Sequence, residues 1–231
     1  MTFALIIFAA LLPVGVLTFY ILLKDKLSPE PAGQLLKAFG AGLLTVPASF
    51  LISFPLMWLG FYVDVPETVL GGICTAFFGA AIPEEIAKFA LLWLVLRRNP
   101  YFDERMDGIV YAVCVSLGFA ALENLMYLFT YADDFVSIGI SRAIFAVPGH
   151  FCFGILMGYY YSLAKFSEVD KKRNMVLTLA APILAHGIYD SLLFVSRVTP
   201  FLSVVLTLVF LVFCHKLWKL GSKSIEKHRG V

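Results

Sequence analysis

Charge is what this chain has least of. Asp, Glu, Lys and Arg make up 15% of its 231 residues, where a soluble domain carries about a quarter. No polar stretch is large enough to form a soluble domain, and there is no internal repeat or low-complexity segment. The four cysteines, Cys74, Cys114, Cys152 and Cys214, all lie within apolar runs and form no CxxC pair, so neither a disulfide framework nor a zinc knuckle is expected. No Lys or Arg precedes the first apolar run, which is too long for a signal peptide and is followed by Lys24, Asp25 and Lys26 without a small-residue cleavage site. It is read as a retained helix. The chain also lacks HExxH, GxGD and a GxSx with a suitably placed histidine, which sets aside three familiar intramembrane protease chemistries. The net charge of +2 requires no nucleic-acid partner, and none is expected.

What the chain does have is apolar length. Hydrophobic residues make up 60% of it, and its mean hydropathy is +0.87. They fall in seven runs, roughly 3–23, 38–60, 69–96, 107–131, 142–164, 175–195 and 200–220. Each approaches the ~20 residues that a helix needs to cross ~30 Å of hydrocarbon. The expected fold is therefore all-α: a polytopic membrane bundle of about seven transmembrane helices, forming a single integral membrane domain over 1–231. Its charge asymmetry gives an orientation. Fifteen of the 18 basic residues, from Lys24 to Arg229, flank alternate runs on one side, whereas the opposite loops hold Asp64, Glu67, Asp133 and Asp134 with only Arg142 and Arg197. The N-terminus is accordingly expected outside and the C-terminus in the cytoplasm, with the basic tail beside anionic lipid.

The remaining basic residue, Lys88, lies inside a run, in FFGAAIPEEIAKFALLW (77–93), with Glu84 and Glu85. Charges at such depth are costly and mark functional sites by default. Three further helices carry buried polar groups: Glu123-Asn124, His150, and His186 with Asp190. At ~1.5 Å per residue, Glu84 lies about 20 Å above the cytoplasmic edge, Glu123 about 24 Å, His186 about 20 Å, and Asp190 about 6 Å higher. His150, entering from the other side, lies about 12 Å below the outer edge. A single intramembrane histidine is as often a packing contact as a ligand. Four helices delivering such groups to one layer of the outer half point to a site.

Spacing adds chemistry. Lys88 is i+4 from Glu84 and i+3 from Glu85, so one ammonium can serve two carboxylates. Pro83 favours a helix start or kink just before them. His186 and Asp190 are i,i+4, so the aspartate can orient the imidazole or both can ligate a metal. His150, Gly154 and Gly158 form one small-residue line, and Ala112, Ser116, Ala120 and Asn124 another; both read as close-packing faces. A Glu/His set of this kind can hold and deprotonate a water, with or without a metal.

EEIAK (84–88), GFAALEN (118–124), the helix beginning with His150, and HGIYD (186–190) together resemble the four motifs of the PrsW family of intramembrane proteases, which is similar to the wider group of type II CAAX prenyl proteases and bacterial CPBP proteins. The resemblance covers about 77–195, within a motif-bearing core of about 69–195, and the ordered quartet carries it, since a lone EExxK is weak. It implies a bacterial plasma-membrane endopeptidase that cleaves a single-pass membrane protein, an anti-sigma factor, near its extracytoplasmic side as the first step of regulated proteolysis. Glu84 would be the water-activating base and Glu85 its partner, while His150 and His186 would position the water or stabilise the oxyanion. Lys88, Glu123, Asn124 and Asp190 would support them. CAAX proteases instead show EExxxR, FxxxH and HxxxN. Here the basic residue comes one position earlier, Phe145 precedes His150 by five, and Asp190 stands at the Asn position. An ionised Asp cannot donate to an oxyanion, so Asp190 reads as an orienter of His186 or a metal ligand. The cofactor is left open by the sequence: Glu84, Glu123, His150, His186 and Asp190 would suit Zn²⁺, while a metal-free glutamate mechanism is marginally favoured. Two alternatives carry less weight. One is a prenyl-peptide protease; the other is a proton-coupled transporter, against which the lack of repeated halves counts.

Overall fold

A computed structural model describes residues 2–25 and 28–229, the side chains of Thr2 and Arg229 excepted. Among the described residues the chain is helical throughout and forms no strand. The helices are α1 (Thr2–Lys24), α2 (Ala32–Trp58), α3 (Val69–Cys74), α4 (Ile82–Leu96), α5 (Arg105–Thr130), α6 (Phe135–Ser141), α7 (Val147–Phe166), α8 (Lys171–Val198) and α9 (Ser203–Arg229). Six helical stretches, 3–24, 32–58, 105–130, 132–166, 171–198 and 200–228, are long and apolar enough to cross a membrane. They bear out a polytopic helix bundle. The other expected run, 69–96, is not among them. It is divided between α3 and α4 by a π-helical turn, Thr75–Ala81, and it carries Glu84, Glu85 and Lys88.

A second π turn, Arg142–Ala146, separates α6 from α7. Both turns have the same cause. Each is followed at the second position of the next helix by a proline, Pro83 in α4 and Pro148 in α7. A proline lacks the N–H that would continue the ladder and crowds the carbonyl four residues back, and the backbone accommodates it with a wider turn. Such turns recur at functional sites. In this chain they lie immediately before Glu84-Glu85 and before His150.

α5 is the central element. Every residue from Met106 to Ala121 is buried, and α1, α2 and α7 pack around it. Glycines let these backbones approach closely. A Cβ on Gly118 would lie 2.9 Å from the Gly42 Cα of α2 and 3.1 Å from the Phe39 carbonyl carbon. On the opposite face of α5, a Cβ on Gly154 of α7 would lie 2.9 Å from that of Ser116, and one on Gly158 would strike the backbone at Gly108 and Ile109. Both small-residue lines expected from the sequence thus serve as packing faces. The outer surface is the reverse of a soluble protein's: Phe8, Leu12 and Phe19 of α1, Leu51 and Trp58 of α2, and Val204, Leu208 and Val212 of α9 all face outward. An apolar belt of this extent matches lipid.

Because nothing in the α2–α5 contact can yield except backbone, Gly118→Ala should cost about 1–3 kcal/mol. Thermal unfolding of the detergent-solubilised protein should show a lowered Tm. Gly40→Ala, where an added Cβ meets nothing within 4 Å, should leave it unchanged or raised.

Candidate active site

The polar residues from four helices meet in one network. Its centre is Lys88, fully buried. The ammonium donates to Glu85 Oε1 at 2.8 Å and to Glu84 Oε2 at 3.4 Å, lies 3.2 Å from His150 Nδ1, and sits 4.0 Å from the Phe119 ring centroid. The expected sharing of one ammonium by two carboxylates is present. The contact with His150 was not expected, and it has a chemical consequence. An ammonium has only donors, so His150 Nδ1 is the acceptor. The neutral ring then carries its proton on Nε2, which donates to Glu123 Oε2 at 3.0 Å.

His186 is arranged the opposite way. Its Nδ1 is 2.9 Å from Glu85 Oε1 and donates to that carboxylate. Its Nε2 faces Asp190 Oδ2 at 3.2 Å and Glu84 Oε2 at 3.9 Å. Phe153 stacks on the ring at 4.6 Å and 17°, fixing its plane. The inner layer of the site is therefore Lys88, Glu85 and both Nδ1 atoms. The outer layer is Glu84, Glu123, Asp190 and both Nε2 atoms. The outer layer lines a cavity of about 570 Å³ together with Tyr127, Arg142 and Arg197.

Arg142 is the residue the sequence reading misplaced. Counted there as an outer-loop charge and used to mark the membrane edge, it turns inward from its π turn. Its Nε donates to Asn124 Oδ1 at 2.6 Å, and its other arm donates to Glu123. The guanidinium also lies 4.1 Å from the Tyr127 ring centroid. Asn124 passes the connection on, donating to the Ala10 carbonyl of α1 at 3.1 Å. Asn124 is thus a brace between α1 and α7's entry turn, not part of the cavity wall. The available signal was an arginine in an apolar run eight residues before His150, opposite a Glu-Asn pair.

Glu84, Glu85, His150 and His186 each offer a ligand atom within 4.8 Å of the others. A metal at the heart of that group would meet the Lys88 ammonium, which already contacts three of the four. The cavity side is better suited. Tetrahedral zinc with bonds of about 2.0–2.2 Å spaces its ligands about 3.3–3.6 Å apart, a range bracketed by the separations of His186 Nε2 from Asp190, 3.2 Å, and from Glu84, 3.9 Å. Glu85 behind His186 supplies the carboxylate–histidine support typical of metal ligands. A metal on the cavity side, clear of Lys88, would meet His186 Nε2, Glu84 and Asp190. His150 and Glu123, also expected as ligands, are engaged with each other and with Lys88 and Arg142.

The chain also matches known proteins. Residues 30–215 match the model of the PrsW family, described as intramembrane metalloproteases. The chain belongs to the PrsW family. It is 34% identical over 225 residues to the Protease PrsW of Oceanobacillus iheyensis, covering 95% of this chain and 98% of that protein. The Bacillus subtilis Protease PrsW is 33% identical over 228 residues, 98% of this chain and 96% of the relative. That of Clostridioides difficile is 32% identical over 222 residues, 95% and 89%. No solved structure matches. The PrsW-family chain is accordingly an intramembrane peptidase, a multi-pass protein of the bacterial cell membrane, whose substrate is a membrane protein.

The guanidinium's two arms, one on Glu123 and one on Asn124, cannot be reproduced by an ammonium. Arg142→Lys should lower cleavage about 10- to 100-fold by loosening Glu123 and with it His150, while the protein remains in the membrane at wild-type level. Quantifying cleaved substrate against immunoblotted enzyme checks this; undiminished activity would make Arg142 a surface charge.

Proposed function

We propose that this peptidase cleaves a single-pass membrane protein, an anti-sigma factor, near its extracytoplasmic side as the first step of regulated proteolysis, with Glu84 as the base. One observation carries the choice of Glu84. Glu85 is sealed from the cavity and accepts from both Lys88 and His186, and Glu123 is tied to Arg142 and His150. Glu84 opens onto the cavity, and its neighbouring nitrogens are more distant, Lys88 Nζ at 3.4 Å and His186 Nε2 at 3.9 Å. It is the least occupied of the three glutamates and so the one best able to take a proton from water. Exchanging Glu123 for substrate, the Nε2–H of His150 can donate to a carbonyl oxygen entering the cavity, as an oxyanion site requires. Glu85 holds His186 in one tautomer, and Lys88 donates to both adjacent carboxylates. A metal bound at His186, Glu84 and Asp190 would supply an activated water and a Lewis acid.

The substrate and orientation rest on other support. The family resemblance suggests the anti-sigma factor. The proposed orientation, N-terminus outside, is supported by the 15 of 18 basic residues on one side. The depths of Glu84 and His186, counted from Arg97 and Arg173, support a site in the outer half, where a cut near the extracytoplasmic end would fall. The prenyl-peptide and transporter readings gain nothing from the cavity, whose wall holds the polar network.

Glu84→Gln should reduce cleavage by about 10²–10⁴-fold, the usual cost of losing a general base, with the protein still in the membrane. Comparing membrane proteomes of cells carrying wild type and Glu84→Gln should reveal a single-pass protein that changes from truncated to full length, its cut end near the outer face. Full activity of the variant would remove Glu84 from the role of base, and a cut on the cytoplasmic side would invert the orientation.

Asp190→Asn separates the two forms of the mechanism. In the metal-free form, which we favour, the amide can donate its own N–H to the His186 Nε2 lone pair, activity persists, and neither protein contains metal. Stoichiometric zinc in the wild type, lost with activity in Asp190→Asn, would rule that form out.

A further inference from the structure

The other end of α5 holds a second group of carboxylates that the proteolytic site does not use. Asp25, at the end of α1, and Glu104 and Asp107, at the start of α5, each offer an oxygen within 4.8 Å of the others. Asp107 lies 16 residues before Glu123, about 24 Å along the helix. Helix capping accounts for part of the group. Asp107 Oδ2 accepts from the Asp103 and Glu104 amides at 2.9 and 2.7 Å, and the Glu104 side chain accepts from the Asp107 amide. Capping leaves two atoms unexplained. Asp107 Oδ1 and Asp25 Oδ2 are buried without a hydrogen-bond partner, on side chains that are 0% and 3% exposed. Among the described residues, no salt bridge reaches Asp25, Glu104, Asp107 or the neighbouring Glu30, whose carboxylate accepts from Tyr111 and also lies against that of Asp107. Lys165 feels the charge of Asp107 but donates to the Phe102 carbonyl and lies over the Phe102 ring.

Orphaned, buried, anionic oxygens from two elements are costly unless a positive charge joins them. We propose that Asp25, Glu104 and Asp107 form a divalent cation site of the hard, oxygen-liganded kind, Mg²⁺ or Ca²⁺, that fastens the end of α1 to the start of α5. Three carboxylate ligands with water completing the shell suit either ion. On the proposed orientation this face is cytoplasmic, which favours Mg²⁺. The charge conflict the ion relieves is visible in the same residues: burial, with the charges of Asp107 and Glu104, pushes Asp25 up to about 7, and burial pushes Glu30 up to about 8. By joining α1 to α5, the ion would hold together the two helices that Asn124 braces at their other ends.

The test uses full-length protein in detergent in the Glu84→Gln background, which removes a ligand of any metal held in the cavity. After chelation, Mg²⁺ and Ca²⁺ are titrated separately while Tm is followed, and Mn²⁺ binding is counted by electron paramagnetic resonance. We expect one Mn²⁺ per chain and a saturable rise in Tm of about 5 °C. Adding Asp25→Asn should abolish both, although by relieving repulsion it should raise the cation-free Tm, which excludes misfolding as the cause. The larger response, to Mg²⁺ or to Ca²⁺, identifies the ion. Mn²⁺ binding that survives both Asp25→Asn and Asp107→Asn would overturn the proposal. So would a protein whose Tm ignores millimolar Mg²⁺ and Ca²⁺ but rises as pH is lowered from 8 to 6, since shared protons would then settle the cluster.

Discussion

The Lys88 ammonium, held between Glu84, Glu85 and His150, is the interaction on which the rest of the site depends. Taking a lysine wholly out of water is prohibitive without partners, and removing one partner of a buried ion pair costs about 3–5 kcal/mol. The gain here lies less in stability than in specification. A single cation allows two adjacent carboxylates to coexist one residue apart, fixes which nitrogen of His150 carries a proton, and excludes a second cation from the inner layer. Glu85, bonded to Lys88 on one side and His186 on the other, transmits the same constraint to α8. The tautomers of both histidines therefore trace back to one ammonium.

That ammonium could not be held so if the helices were straight. The two proline-linked π turns shift the register of 69–96 and of 132–166 just ahead of their polar residues, which carries Glu84, Glu85 and His150 inward while the flanking segments stay apolar and face lipid. Close approach on the other axis is provided by glycine. With Gly42 against Gly118 and Gly154 and Gly158 against α5, α2 and α7 come close enough for the short side chains at the centre to touch. Dispersion and hydrogen bonding, not the hydrophobic effect, hold helices together in lipid. Such packing tolerates little added bulk, and the site inherits its precision.

The sequence disclosed the groups whose placement in an apolar run is itself anomalous. Glu84, Glu85, Lys88, Glu123, His150, His186 and Asp190 all enter the network, because a polar residue at that depth has few places to go. It disclosed the bundle for the same reason. What it hid was whatever depends on a turn or on partners distant in the chain. Arg142 read as a loop charge because its inward course needs the π turn, which hydropathy does not register. The contact of Lys88 with His150 joins residues 62 apart, and no local spacing anticipates it. Asp107 read as a boundary marker; its burial beside Asp25 follows from α1 packing on α5, 82 residues earlier in the chain.

The division between the two histidines bears on how such a site can act. His150 and His186 lie 5.4 Å apart with rings nearly perpendicular, similar in type and depth, yet their partners set them to opposite duties. A donor behind His150 makes its cavity-facing nitrogen a donor. An acceptor behind His186 leaves its cavity-facing nitrogen a lone pair in the neutral ring, between two carboxylates that could share a proton or a metal with it. On the proposed reading, a substrate carbonyl is polarised from the His150 side while water is activated from the side of Glu84 and His186. Attack across a carbonyl needs those two functions on separate walls of one cavity. Two histidines with like surroundings would duplicate one function and lack the other, so the asymmetry imposed by Lys88 and Glu85 is what allows a pair of identical side chains to serve as a complete catalytic set.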